Sequence, residues 1–189
     1  MYDVIIIGGG PAGASAALFT AKAGKKTLVL DNETSMTKAA LVKNHYGTPD
    51  VEGPELLRIG KEQAESFGAE FVKREAEVIE KLENGRIQVK TNEGDVEAEH
   101  VIVTVGNTTK LAKASQLNTK PGTEPRIKEI IETDEDGRTN IDGVWAAGTV
   151  AGVSVHTIIT AGDGAKVAIN VLSEMNGERY VDHDILKKK

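Results

Sequence analysis

The stretch Asp3-Val4-Ile5-Ile6-Ile7-Gly8-Gly9-Gly10-Pro11-Ala12-Gly13 decides the fold. Its first five residues read as a short strand rich in β-branched side chains. Its last six turn the chain, with glycines spaced Gly8-x-Gly10-x-x-Gly13. That spacing alone is a weak signal, and its surroundings give it meaning. An alanine-rich helix is predicted from Ala14 to Ala23, with Gly24 where a left-handed residue after a helix is favoured. A second strand, Thr27 to Leu30, follows and ends at Asp31. Strand, glycine turn, helix, strand and terminal acid together form a βαβ unit with parallel strands.

Each glycine has its own physical task. Gly8 permits the tight turn, Gly10 lets main chain approach a pyrophosphate with no Cβ in the way, and Gly13 lets helix and strand pack closely. The helix's first-turn N–H groups, beside Pro11 and Ala12, have no intrahelical acceptors and face an anion with the helix dipole behind them. Asp31 is placed to accept hydrogen bonds from adenosine ribose hydroxyls. Its charge repels a 2′-phosphate, and Asn32 and Glu33 supply no cation for one, so NADP is disfavoured here. The competing reading is an ordinary tight turn followed by a solvated strand end.

Outward from this unit, residues 32–50 show no periodicity, as expected of a functional loop. A helix is predicted from Pro54 to Phe67, stopped by Gly68, and a third strand from Glu70 to Val72. Val78 to Leu82, Arg86 to Lys90 and Asp95 to Glu99 read as an antiparallel meander joined by turns at Asn84-Gly85 and Asn92-Glu93-Gly94. Val101 to Val105 is a buried parallel strand ending at Gly106. Residues 107–126 read as a polar connection. Val144 to Gly148 forms a short strand and turn, and Thr157 to Glu174 a final helix. The fold class is thus α/β, one domain over residues 1–189, a parallel sheet with an inserted antiparallel β-meander and a basic tail at about 185–189 expected to fray.

Composition narrows the chemistry. Cysteine is absent, so within this chain no disulfide, thiolate metal site or cysteine nucleophile exists. The formal charge is −6 with acids and bases interleaved, giving no basic stripe for nucleic acid. The apolar run Val4 to Ile7 is far too short for a signal core or membrane span, so a cytoplasmic protein with no membrane contact is expected. No paired-carboxylate, Ser-His-Asp or histidine-cluster pattern supports hydrolytic or metal chemistry. Asp163, alone between glycines, is expected to be a polar helix-face residue and no metal ligand, and Trp145 a core residue.

The residues resemble the FAD-binding half of the thioredoxin reductase family, within the two-dinucleotide-binding-domain flavoproteins. Asp3 to Asp31 is similar to the family's opening D-V-x-I-I-G-x-G-P-A-G segment. Asn44-His45-Tyr46-Gly47 followed by Gly53-Pro54-Glu55-Leu56 resembles its E-N-x-P-G and G-x-x-L loop and helix. Arg138-Thr139-Asn140, Gly143 to Gly148 and His156 to Ala168 resemble its T-x-x-x-G-V-x-A-A-G-D segment and the helix after it. The resemblance implies a Rossmann-like FAD/NAD(P)-binding domain holding FAD, and a homodimer. It places Asn44 near the flavin, Val105-Gly106 at the strand end beside the cofactor, and Gly148-Thr149 at the ribityl chain. His156-Thr157-Ile158 falls beside the isoalloxazine ring, where a helix N-terminus favours the negative charge of reduced flavin.

Three departures shape the expected function. The family's NADPH domain belongs between the equivalents of Gly106 and Arg126, where only a loop's length is present. No second glycine fingerprint and no C-x-x-C occurs, so a thioredoxin reductase of the usual design is excluded. Thr149 stands where the family has aspartate, and His156 where it has arginine, making a charge there dependent on pH. The expectation is a flavoprotein oxidoreductase receiving electrons from a partner protein or from free NAD(P)H, with His156 the candidate proton-handling residue and His45 and Tyr46 candidates to cover the ring or a substrate. The alternatives are a non-catalytic FAD- or NAD-binding module and a redox-sensing subunit.

Overall fold

A computed structural model describes residues 1–186. The chain opens with β1 (Tyr2–Ile7), α1 (Pro11–Lys22) and β2 (Thr27–Leu30). A loop carrying the two-residue strands β3 (Leu41–Val42) and β4 (Val51–Glu52) leads into α2 (Gly53–Glu65) and β5 (Glu70–Val72). Next come β6 (Ala76–Lys81), β7 (Ile87–Thr91) and β8 (Val96–Val103), then α3 (Lys110–Ala114), β9 (Thr119–Pro121) and β10 (Glu129–Ile131). The described chain finishes with β11 (Val144–Ala146) and α4 (Thr157–Asn176). Of the tail expected to fray, residues 187–189 lie outside the described residues.

Four strand pairings, β5 with β2, β2 with β1, β1 with β8 and β8 with β11, are all parallel. The α/β parallel sheet with an antiparallel insertion is therefore as the sequence predicts. One detail differs. The predicted strands at 95–99 and 101–105 are a single strand, β8. Its first residues pair with β7 antiparallel through Val96 and Ala98, and its last pair with β11 parallel through Val101 to Val103. Glu97, Glu99 and His100 gave the first half a polar alternation that conceals its continuity with the apolar second half. The 107–126 segment likewise holds more structure than a polar connection, since it contains α3 and the strand β9, which pairs with an unpredicted β10. Helix α1 also begins at Pro11, three residues earlier than expected. Proline's fixed φ suits the first helical position and its missing N–H is no loss there.

Alternation along the strands divides the core. Val4, Ile6, Val29, Ile102 and Trp145 pack with α1 and α4 on one face, while Ile5, Ile7, Leu28, Leu30, Val101 and Val103 pack with the meander and α3 on the other. Burial on both faces explains the continuous apolar runs, and each such Ile, Leu or Val contributes about 1.5–3 kcal/mol. Helices α1 and α4 meet almost without side chains between them. A Cβ added to Gly164 would lie 2.1 Å from the carbonyl oxygen of Ala12, so only glycine fits. Trp145 is fully buried, its indole N–H donating to His100 Nδ1 at 3.2 Å and its ring facing the Arg138 guanidinium at 4.7 Å.

Candidate active site

The ends of β1 and β8, the start of α1 and the N-terminus of α4 border a cleft of about 370 Å³. Its floor is the glycine turn. Gly8 takes φ +108° and its N–H donates to Leu30 at 2.8 Å, tying the turn to β2. The Thr104 hydroxyl lies 2.9 Å from the carbonyl oxygens of both Ile7 and Gly8. A Cβ on Gly13 would sit 1.8 Å from the Gly8 oxygen, which accounts for the third glycine. Gly10 occupies the cap position of α1 with no side-chain capping bond. The N–H groups of Gly9, Gly10, Ala12 and Gly13 meet no acceptor among the described residues. Three of these, on Gly9, Gly10 and Ala12, front the open cleft at the helix start and fit a diphosphate.

One end of the cleft is acidic. Asp31 accepts the Glu33 N–H at 3.0 Å through Oδ1, and its Oδ2 lies where a Cβ on Gly9 would approach to 2.5 Å. Gly9, passed over as a spacer in the sequence reading, is thus needed for Asp31 to stand beside the turn. Cations do reach this end, contrary to what Asn32 and Glu33 alone suggested. Lys73, just past β5, pairs with Glu33 at 2.7 Å and holds its carboxyl below the usual range, chiefly through their hydrogen bond. Arg74 lines the cleft and pairs with Glu93 at 3.6 Å. Lys73 and Arg74 are thus each matched by an acid.

The other end is apolar and hydroxyl-rich. Val105, Gly106, Thr149, Val155, Thr157 and Thr160 line it. Gly148 takes φ +80° and begins a short 3-10 turn through Ala151, with its N–H donated to Asp163 Oδ2 at 2.8 Å. Asp163 therefore fixes the turn that carries Thr149; the expectation that it is only a polar face residue is corrected. His45 Nδ1 lies 3.0 Å from Thr157 Oγ1, joining the loop after β3 to the start of α4.

The cleft brings together Gly8, Gly10, Pro11, Ala12, Asp31, Val105, Gly106, Thr149 and Thr157 among the residues singled out in the sequence. Gly13 serves behind it as a packing residue. Asn44, Gly148, His156 and Ile158 stand outside its lining. Asn44 and His156 are exposed, and His156 Nδ1 lies 2.9 Å from Ser154 Oγ. His156 is the cap residue of α4 and its side chain makes no capping hydrogen bond. Thr104, Ser35, Arg74 and Asp163 were not anticipated. Thr104 had a usable signal, a hydroxyl within the otherwise apolar Val101 to Val105, whereas the other three depend on contacts distant in the chain.

On the wall opposite, the segment after β8 is held by Glu129. Lys113 at 2.7 Å and the hydroxyls of Thr109 and Thr119, at 2.6 and 2.9 Å, bring its carboxyl down to about 2. This cluster fixes α3 against the β9–β10 hairpin.

Comparison with known proteins agrees with this geometry. Residues 58–165 match the pyridine nucleotide-disulphide oxidoreductase family. The chain belongs to that family. Residues 3–42 match an FAD binding domain, and FAD is the cofactor. The chain is 52% identical to a thioredoxin reductase of Aquifex aeolicus over 39% of its own length and 24% of the relative's. It is 37% identical to a thioredoxin reductase of Peptoclostridium litorale over 59% of its length and 36% of that protein's. The chain thus spans about a third or less of the curated relatives it matches. Among solved structures, a thioredoxin reductase from Gloeobacter violaceus superposes with a TM-score of 0.86 at 17% identity, covering 98% of this chain and 99% of that one. One from T. acidophilum gives 0.77 at 18%, covering 93% and 99%. These likenesses establish the Rossmann-like FAD-binding fold. Among the described residues, no helix of this family member is long and apolar enough to cross a membrane.

Proposed function

We propose that the chain is an electron-transferring flavoprotein domain that takes electrons from a partner redox protein or from free NAD(P)H. The reading is carried by the unpartnered N–H groups of Gly9, Gly10 and Ala12, set between an acidic and an apolar end of one cleft. In this assignment those groups hold the pyrophosphate, and Asp31 accepts from the adenosine ribose. Thr149 offers a hydroxyl to the ribityl chain, and Val105, Gly106 and Thr157 border the ring. Bound FAD supplies reversible uptake of two electrons; the protein orients it, keeps water from one side and tunes the ring's charge. Asp163 acts indirectly, by fixing the backbone that presents Thr149. His156, outside the lining, is left as a surface residue near the ring's end of the domain. Assembly as a homodimer in the cytoplasm is proposed with it, resting on the resemblance.

The decisive test is cofactor identity followed by turnover. The purified chain is expected to be yellow, to release FAD on denaturation, and to pass electrons from NAD(P)H or a reduced redox protein to a dye acceptor. A colourless chain that also refuses added FAD overturns the placement of the cofactor. Bound FAD with no electron transfer from either donor class favours the non-catalytic module instead.

A further inference from the structure

Reduction of a flavin takes up protons as well as electrons, yet no histidine, cysteine or tyrosine lines the cleft among the described residues. Its charged side chains, Asp31, Arg74, Glu75 and Lys110, gather around the acidic end, where Arg74 and Glu75 follow β5 and Lys110 pairs with Glu75 at 3.6 Å. At the far end one titratable side chain touches a lining residue. His45 Nδ1 is 3.0 Å from the hydroxyl of Thr157, and Thr157 opens onto the cleft. His45 is half-buried, so its ring also meets solvent.

We propose that His45 and Thr157 form a proton relay for the redox-coupled proton of the bound ring, with His45 acting through Thr157. The inference rests on the cofactor placement proposed above. With an electron-only donor the balance is FAD + 2e⁻ + H⁺ → FADH⁻. The imidazolium of His45 gives its Nδ1 proton to Thr157 Oγ1 while the Thr157 hydroxyl gives its own proton to the ring. Water then reprotonates the imidazole. A hydroxyl suits the middle position because it donates and accepts at once. The ionisable groups on the elements around the relay include Lys38 in the turn before β3, Lys43 and Asp50, which pair with each other at 3.3 Å, Glu52 on β4, His156 at the cap of α4, and Asp163 within α4, which accepts the Gly148 N–H.

The relay is tested by measuring the logarithm of the rate of flavin reduction by dithionite, an electron-only donor, against pH between about pH 5 and 9, for the FAD-loaded wild type and for His45→Gln, Thr157→Val and His156→Gln. The wild type is expected to show a change of slope in the range where histidine titrates. His45→Gln and Thr157→Val lose it, and His156→Gln keeps it. In the FAD-free protein, Thr157→Val is expected to move the His45 ring nitrogen resonances by removing the hydrogen-bond partner of Nδ1, a readout independent of cofactor loading. FAD-loaded His45→Gln with the wild-type curve, or loss of the slope change in His156→Gln, overturns the relay alone. A wild type that takes up no FAD overturns the cofactor placement and the relay with it.

Discussion

The two ends of the cleft are built differently. At the glycine turn, main chain presses on main chain, Gly13 against the Gly8 carbonyl and Gly164 against Ala12, while Gly9 leaves room for the Asp31 carboxylate. At the rim near Thr157, a loop with two-residue strands carries exposed Leu41 and Tyr46 and is tied to α4 by the His45–Thr157 hydrogen bond. The first end is specified by the absence of side chains, the second by which side chains happen to face one another. A grip common to any dinucleotide can be rigid, whereas the surface that meets a particular donor is free to vary.

The comparison is broken most severely at the glycine contacts. Gly13→Val puts its Cβ into the Gly8 carbonyl, and a loss on the order of 4 kcal/mol in urea unfolding is expected. Gly10→Val is the informative contrast. A Cβ there meets only Ser35 Oγ, at 3.3 Å, so the fold should survive while FAD affinity falls about a hundredfold or more, roughly 3 kcal/mol, by equilibrium dialysis. Full FAD occupancy in Gly10→Val would falsify the phosphate cradle. Asp31→Ala should weaken FAD by roughly 10- to 100-fold, the worth of a charge-assisted hydrogen bond, with little change in stability.

A pH effect is expected from the part of the sheet where His100 pairs with Val4, away from the turn. Burial pushes the His100 imidazole below its ordinary value, and Nδ1 must stay unprotonated to accept from Trp145. The unfolded chain binds this proton more readily. Stability from this site is therefore full above about pH 6.5 and is lost as pH falls through the lowered folded value. Emission of Trp145, the chain's one tryptophan, should follow the same transition, and His100→Gln should flatten both curves. The smallest effect lies at the rim, where Lys43→Ala removes an exposed pair with Asp50 and should alter stability by less than about 0.5 kcal/mol.

The same contrast explains what could be read from the residues. The β1–α1–β2 unit was legible because its glycines and Asp31 report local backbone demands, and α2 and α4 because their apolar residues repeat with a clear period. The continuity of β8 was hidden, since Glu97, Glu99 and His100 lie on its half-covered first part while the apolar half is buried on both faces. Asp163 gave no sign of its bond to Gly148, fifteen residues away, and nothing in the sequence around His45 and His156 said which would bond Thr157. Long-range side-chain contacts of this kind have no periodicity to betray them.

The closeness of α1 and α4 bears on how the chain could be divided. The opening and closing helices hold each other by backbone proximity across Ala12 and Gly164, so the halves of the molecule do not rely on the intervening peptide to find their alignment. Two separately expressed pieces, cut in the exposed stretch around residues 122–126, should reassemble into one working unit, and foreign sequence spliced at that point should be carried as a passenger.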